Sequence, residues 1–471
     1  MPHTSSRMAG NSFIEALSAA LPAGRIKIGN NIPAGAEHDW SHESHAAPLA
    51  WVAPQSTEEV AATLRVCHAY RIGVVPQGGL TGLTGGANTQ QGIVALSLSA
   101  MHAIEEIDAR TAVAQVQAGV VLQRLQEALL PYDLVFGVDL GPRGSCQIGG
   151  LIATNAGGSG VIQYGTTRAQ ILGLEVVLAD GSILPMMRAL PKNNSGYDLN
   201  QIFIGSEGTL GIITRAILRL HPCAPARHTA LLALKDYNAS LAVLQHLRAK
   251  FPQGIAAFEL MWEDYVSAVQ QATGLPLPFA TQAPLAALLE ICGQNKDALL
   301  TEFENALSEA LDQNWIEDAV IAASQAQTTQ LWKLRESVPE LFALRQPINF
   351  DLSLPISQGG AFVARCRELL LQRWPLCNPL FFGHLGDGNL HIIADAKGLP
   401  AAIEADALCE AVYQLLPEFG GAISAEHGIG SLRTSQLRYC RTTAEIAAMR
   451  ALKHAFDPNN ILNPGKVLPA Q

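Results

Sequence analysis

The spacing of hydrophobic and polar positions changes character near residue 221. Between Trp51 and His221 the apolar runs are short, rich in β-branched residues and broken by glycine. They predict strands at Arg71–Pro76, Gly92–Ser97, Thr111–Gln117, Leu174–Ala179 and Gly211–Leu220, with Asp180-Gly181 as a hairpin turn. Thr57–Tyr70 instead carries Val60, Leu64 and Cys67 at helical spacing. Upstream, Ser12-Phe-Ile-Glu15 has the form of a capping box, predicting a short amphipathic helix through Leu17 and Leu21. Two prolines within His221–His228 mark a junction. Beyond it, period-3.6 spacing predicts helices at Asn238–Lys250, Ala283–Leu289, Asp297–Leu311, Thr328–Leu344 and Ile403–Leu416. Strands such as Thr229–Leu234 and Gly254–Leu260 separate them. The expected class is α+β, the second half being an antiparallel sheet covered by helices.

A length of 471 residues suits two or three domains. With 48% hydrophobic and 15% charged residues the chain is too apolar for disorder. Its net charge of −10 leaves no broad basic face, so nucleic acid is not an expected partner. No apolar run approaches the roughly 18 residues of a membrane span. The eight cysteines stand singly without a C-x-x-C pair, against an iron–sulfur domain, a zinc ribbon or a disulfide framework. Reduced thiols, and no secretory signal in the first residues, make the cytoplasm the expected location, peripheral at a membrane at most.

Three glycine-rich stretches each follow or flank a predicted strand. Pro76-Gln-Gly-Gly-Leu-Thr-Gly-Leu-Thr-Gly-Gly-Ala87 lets successive backbone N–H groups converge on an anion such as a diphosphate. It lacks the ending of a P-loop and the G-x-G-x-x-G spacing of a Rossmann turn. The second runs from Asp139 to Gly160 and the third from Gly205 to Ile213. A flexible surface loop is the bland alternative for the first, but Leu80 and Leu83 interrupt it. A large cofactor containing a diphosphate accounts for all three.

With these segments the chain resembles flavoproteins of the vanillyl-alcohol-oxidase and p-cresol-methylhydroxylase superfamily. Within it, the similarity is to the branch of FAD-linked D-lactate dehydrogenase, D-2-hydroxyglutarate dehydrogenase and the glycolate oxidase flavoprotein subunit. The resemblance runs from about Trp51 to Val467. It implies an FAD-binding domain at 46–223 after a helical extension at 1–45, a cap domain at 224–420, and a segment at 421–471 returning to the FAD domain. Gln77, Gly78, Gly79, Leu80 and Thr81, with Gly85 and Gly86, would wrap the diphosphate, and Pro76 before them would also be a cofactor-binding residue. Ser145, Gly149, Gly150, Asn155 and Gly158 would line the flavin and ribityl region, and Asp139 would be a further cofactor-binding residue. Glu207, Gly208 and Ile212 would lie near the adenosine half, and Asn463 begins the returning Asn-Pro-Gly-Lys466. No His or Cys stands where covalently flavinylated relatives tether the ring in the first loop, which implies non-covalent FAD.

The segment Phe381-Phe-Gly-His-Leu-Gly-Asp-Gly-Asn-Leu-His-Ile-Ile393 reads as a hairpin around Gly386–Asn389. In that register His384 opposes His391, and two imidazoles on one face can chelate a metal. Two polar residues on a solvated strand are the plainer reading. Glu426, in Ser424-Ala-Glu-His-Gly-Ile-Gly-Ser431, could complete a His₂–carboxylate set suited to zinc. His427, whose side chain points away from its neighbour's in extended backbone, is cast as a base. Arg335 offers a bidentate fork for a carboxylate, although beside Glu336 it could be a surface ion pair. The resemblance agrees with all five assignments.

The resemblance implies oxidation of a D-2-hydroxy acid to the 2-oxo acid, with hydride leaving for the flavin. Relatives acting on 2-hydroxyglutarate carry a Lys, a hydroxyl residue and an Asn where this chain has Asn349, Pro339 and Ile393. Those losses favour a lactate-like monocarboxylate. With no haem or iron–sulfur pattern in the chain, an external acceptor is expected: a quinone, a cytochrome or an electron-transfer flavoprotein. A homodimer is left open. The competing readings are a flavin oxidase of another alcohol such as a sugar lactone, a non-catalytic FAD-binding subunit, and a flavin-free zinc hydrolase.

Overall fold

The computed structural model describes residues 3–41, 43, 45–279, 283–399 and 402–470. Two compact units are present. The first comprises Met1–Gly158, Gly165–Cys223 and Glu426–Gln471, the second Ser159–Tyr164 and Ala224–Ala425.

In the first unit a four-stranded sheet runs in the order Ile26–Lys27, Ala50–Val52, Val94–Ser97, Val74–Gln77, the last three mutually parallel. Parallel strands are covered on both faces, which is why Val94–Ser97 is wholly buried rather than alternating. The helix Thr57–Tyr70 forms the crossover between two of them. Ser56 caps it by accepting from the Glu59 N–H, and Val60, Leu64 and Cys67 pack on Val74, Val94 and Leu96. The strand Val74–Gln77 therefore ends where the first glycine loop begins. Five antiparallel strands form the other sheet, in the order Ile104–Asp108, Val113–Gln117, Ile212–Arg219, Ile171–Val177, Ile183–Met186.

The N-terminal helix spans His3–Ala20, so it does not open at Ser12 as the capping box predicted. Phe13, Leu17 and Leu21 are buried in the same core as Leu64, and tertiary packing has already supplied the nucleus. Extending a formed helix upstream then costs little, so the local cap is overridden.

The second unit is built on seven antiparallel strands in the order Ile316–Ile321, Ala226–Leu234, Leu285–Gly293, Ile255–Trp262, Leu380–His384, Asn389–Asp395, Pro347–Ser353. The helix expected at Ala283–Leu289 is instead the strand Leu285–Gly293. Every position from Leu285 to Cys292 is buried, and the unbroken apolar run Leu285–Leu289 carries no period to read. The single helix expected over Thr328–Leu344 is two, Gln325–Glu336 and Val338–Leu344, parted at Ser337. Pro339 lacks the N–H to continue the first helix and sits well in the opening turn of the second.

Candidate active site

The strand Val74–Gln77 delivers its glycine loop to one wall of a cavity of about 380 Å³ within the first unit. Of the anticipated cofactor residues, Pro76, Gln77, Gly78, Gly79, Leu80, Thr81, Gly86, Gly149, Gly150, Glu207, Gly208, Ile212 and Asn463 line it. Gly85, Asp139, Ser145, Asn155 and Gly158 do not line it. The Gly85 carbonyl accepts from Lys466 Nζ at 2.7 Å, and Asn155 Oδ1 accepts from the Arg168 N–H at 2.9 Å. Ser145 explains the need for Gly79: a Cβ there would lie 2.0 Å from the Ser145 carbonyl oxygen, so the two glycine segments meet backbone to backbone. Gly150 is different. A Cβ at that helical position would meet nothing within 4 Å among the described residues, so folding does not demand glycine there, whereas a ligand lying on the helix would.

Two further observations bear on whether FAD fits. Gln147 Oε1 and Asn463 Oδ1 are buried on this wall with no hydrogen-bond partner among the described residues. Orphaned acceptors of this kind are rare unless a ligand supplies donors, as a flavin imide, ribityl hydroxyls or an adenine amine would. Leu80, Glu207 and Asn463 also line the cavity with left-handed backbone (φ 56°, 51° and 41°), a strain that clusters at ligand sites. The residues present fit the cofactor.

Glu426 and His427 lie on the same wall. Glu426 Oε1 accepts from the Gly158 N–H at 2.8 Å, and the His427 carbonyl accepts from Thr84 Oγ1 at 3.2 Å. Their segment is pinned by Glu207, whose two oxygens accept from the Ile429 and Gly430 N–H groups at 2.8 Å each. Burial pushes the Glu207 carboxyl up, against the pull of those two donors. Thus Glu207, expected near the adenosine half, has both oxygens engaged in holding the Glu426–Ser431 turn.

In the second unit the alternation of its strands gathers polar residues on one face. His384 opposes Asn389, and Phe382 opposes His391. The expected register, with His384 directly across from His391, is therefore corrected by two positions. Leu385 leaves the strand early because its N–H donates to the Phe258 carbonyl and its side chain is buried, which starts the turn one residue sooner. A shift of two preserves the face, so the imidazoles are diagonal neighbours with ring centroids 5.5 Å apart.

Glu259, which sequence reasoning missed, organises this face. It lies opposite His384 in the strand Ile255–Trp262, accepting from His384 Nδ1 at 2.7 Å and from Arg335 Nε at 2.8 Å. Burial alone would push its carboxyl up, but the neighbouring His384 and Arg335 outweigh that and hold it at about 2. A carboxylate only accepts, so this bond places a proton on His384 Nδ1 and leaves Nε2 as the nitrogen that could meet a cation, the arrangement of a metal-ligating imidazole backed by a carboxylate. Arg335 Nη2 stands 3.4 Å from that Nε2, and its guanidinium stacks 4.7 Å from the centroid of Phe382. Arg335 is thus a buried, oriented fork and not a surface ion pair with Glu336. Asp351 is the second carboxylate overlooked: wholly buried opposite His391, it accepts from Asn389 Nδ2, Ser424 Oγ and the Ala425 N–H. The detectable signal for Glu259 was one acid inside an otherwise apolar strand, and for Asp351 an acid between Phe350 and Leu352, since a buried charge requires partners. This donor set, two imidazoles with one carboxylate-backed, fits a divalent cation such as zinc.

Among the described residues no helix is long and apolar enough to cross a membrane. The family of FAD linked oxidases, C-terminal domain, matches residues 224–467, and the FAD binding domain family matches residues 48–186. The chain is 40% identical over 464 residues to a D-2-hydroxyglutarate dehydrogenase of Xanthomonas citri pv. viticola, spanning 96% of each chain. It is 35% identical to one of Stutzerimonas stutzeri, spanning 98% of this chain and all of the relative. Its fold is similar to that of p-cresol methylhydroxylase, with a TM-score of 0.74 at 16% identity over 98% of this chain and 97% of the other. A glycine-built cavity with waiting acceptors and these matches over both halves lead to one assignment. The chain belongs to the FAD-linked oxidases of the vanillyl-alcohol-oxidase and p-cresol-methylhydroxylase superfamily, and is an FAD-dependent oxidoreductase acting on a CH–OH group.

Proposed function

We propose that this enzyme oxidises a D-2-hydroxy acid to the corresponding 2-oxo acid, with a monocarboxylate of the lactate type as substrate. The observation that carries the reading is the placing of His427 and Glu426 on the wall of the cofactor cavity. When bound, FAD supplies the acceptor for the hydride that leaves Cα. A divalent cation, zinc by donor type, supplies a Lewis acid that lowers the pKa of the α-hydroxyl. In this proposal His384, His391 and Glu426 hold the cation, and His427 takes the hydroxyl proton on a ring nitrogen. Arg335 grips the carboxylate with N–H groups left over from its bond to Glu259. Electrons leave the enzyme to an external acceptor, a quinone, a cytochrome or an electron-transfer flavoprotein.

The relatives' name favours a second reading, D-2-hydroxyglutarate. Three positions speak for the monocarboxylate. Ile393 is buried against Leu380 and Phe382, Asn349 is an exposed neutral amide on the neighbouring strand, and Pro339 offers no hydroxyl. None of them offers a positive charge to a distal carboxylate, and leaving one without a charged partner on burial is costly.

Anaerobic flavin bleaching tests both levels. D-Lactate and D-2-hydroxybutyrate should bleach with higher kcat/KM than D-2-hydroxyglutarate, and L-lactate should not bleach. The reverse order among the D-acids replaces the substrate while leaving the reaction. Failure of every D-2-hydroxy acid overturns the function. His427→Asn should retain FAD yet bleach at least about 100-fold more slowly.

A further inference from the structure

A separate cluster of metal-binding residue types lies in the first unit, on the segment leading to the cavity. Glu37, His38 and His45 each offer one ligand atom, and these atoms all lie within 4.8 Å of one another. The two imidazole rings are 4.8 Å apart between centroids and tilted by 49°. His38 Nδ1 is 3.0 Å from the Asp39 carbonyl oxygen, and His45 Nδ1 is 2.6 Å from that of Glu43. A carbonyl only accepts, so each Nδ1 carries a proton and each Nε2 is the nitrogen left to meet a cation. That is the tautomer a metal requires, with the backbone carbonyl as the outer partner. Two neutral imidazoles and one carboxylate match zinc, cobalt or nickel better than calcium or magnesium.

The described residues beside the three ligands are already tethered, which lowers the chain entropy a cation would have to overcome. The Glu37 carbonyl accepts from the Thr89 N–H at 3.0 Å, and the Asp39 N–H donates to Asn88 Oδ1 at 2.8 Å. Beyond His45, Ala46 exchanges bonds with Thr89, its N–H donating to the Thr89 carbonyl and its carbonyl accepting from Thr89 Oγ1. Lys466 Nζ donates to the carbonyls of both Gly85 and Asn88. The residues following His38 are Asp39 and Trp40, which line the cofactor cavity. Fixing Glu37, His38 and His45 on one ion therefore fixes Asp39 and Trp40.

We propose that Glu37, His38 and His45 form a second divalent-cation site of the zinc class, which holds Asp39 and Trp40 in place at the cofactor cavity and so couples cation binding to FAD affinity. The cation site stands independently of the proposed reaction; only the coupling rests on the cofactor assignment.

The test uses full-length protein stripped by chelator and reloaded with zinc or cobalt. In His384→Ala/His391→Ala, zinc titration against a chromophoric chelator should still show a tight equivalent, which His38→Ala/His45→Ala removes from that background. Cobalt at the site should give visible d–d absorption that the same pair of changes abolishes. Glu37→Gln, a milder change, should weaken zinc about tenfold. In the His384→Ala/His391→Ala background, zinc should tighten FAD binding by at least about fivefold, and not after loss of His38 and His45. Zinc content and cobalt spectrum unaffected by His38→Ala/His45→Ala, in protein with unchanged circular dichroism, overturn the site. Zinc bound there without any change in FAD affinity overturns the coupling. Stoichiometry that falls with the His38/His45 pair but not with the His384/His391 pair would sink the cation of the proposed function and leave this one standing.

Discussion

Glu259→Gln is the substitution that most directly tests how the polar face of the second unit is held. The amide has nearly the carboxylate's shape, so no cavity forms and the effect is electrostatic. One amide oxygen can accept from His384 Nδ1 or from Arg335 Nε, but not from both, because the other end of the group is itself a donor. A charge-assisted hydrogen bond worth about 1.5–3 kcal/mol disappears. Arg335 meanwhile keeps its charge with a side chain 10% exposed, against a site only 2% exposed that no longer answers it. Removing one partner of a buried pair costs about 3–5 kcal/mol, so the unfolding midpoint of the second unit should fall by several degrees. Without the carboxylate behind it, His384 should also lose about 10- to 100-fold in cation affinity.

Differential scanning calorimetry and chelator competition read the two effects separately. A double-mutant cycle with Arg335→Met removes the ambiguity of a general packing defect. If the pair is coupled, the double variant should cost at least about 1 kcal/mol less than the sum of the singles. An unchanged midpoint together with unchanged cation affinity in Glu259→Gln would refute the reasoning, as would strict additivity in the cycle.

Gly150→Ala should fold at least as well as the parent, gaining about 0.5–1 kcal/mol of apo-protein stability from a helix interior, yet lose FAD affinity by at least about tenfold in a fluorescence titration. Gly79→Ala, with its Cβ 2.0 Å from the Ser145 carbonyl, should lower apo-protein stability as well as flavin content, and equal behaviour of the two variants would contradict the placing of the cofactor. Glu207→Ala leaves the Ile429 and Gly430 N–H groups without their acceptor, about 1–3 kcal/mol each, and should lower the bleaching rate more than FAD content. Asn349→Lys is exposed and should leave thermal stability unchanged within about 0.5 kcal/mol while raising kcat/KM for D-2-hydroxyglutarate relative to D-lactate at least about tenfold.

The cofactor cavity was legible in the sequence because glycine answers a local steric demand. Gly79 cannot be replaced where the Ser145 carbonyl approaches, so the chain writes the contact into the residue itself. The histidine hairpin was half legible. Turn chemistry placed both imidazoles on one face, but the register depended on whether Leu385 extends the strand or leaves it. That was decided by the Phe258 carbonyl, a partner 127 residues away that no local window contains. The strand Leu285–Gly293 hides for the opposite reason: Leu285–Leu289 is an unbroken apolar run, buried throughout, and holds no periodic information.

Glu259 shows where reading and structure part most sharply. Its strand, Ile-Ala-Ala-Phe-Glu-Leu-Met-Trp, announces a contradiction, a carboxylate among residues that must be buried. The contradiction can be seen locally but resolved only through Arg335 and His384, 76 and 125 residues away. Core positions are specified by what they exclude, so many sequences satisfy them and a pattern suffices to find them. A buried charge is specified by what it must meet, and the penalty for missing that partner is several kcal/mol. Such a residue therefore marks a long-range constraint before its partner is known. A lone acid inside an apolar strand therefore points to a partner elsewhere in the chain, and for Glu259 that partner pair, Arg335 and His384, is also the polar face of the second unit.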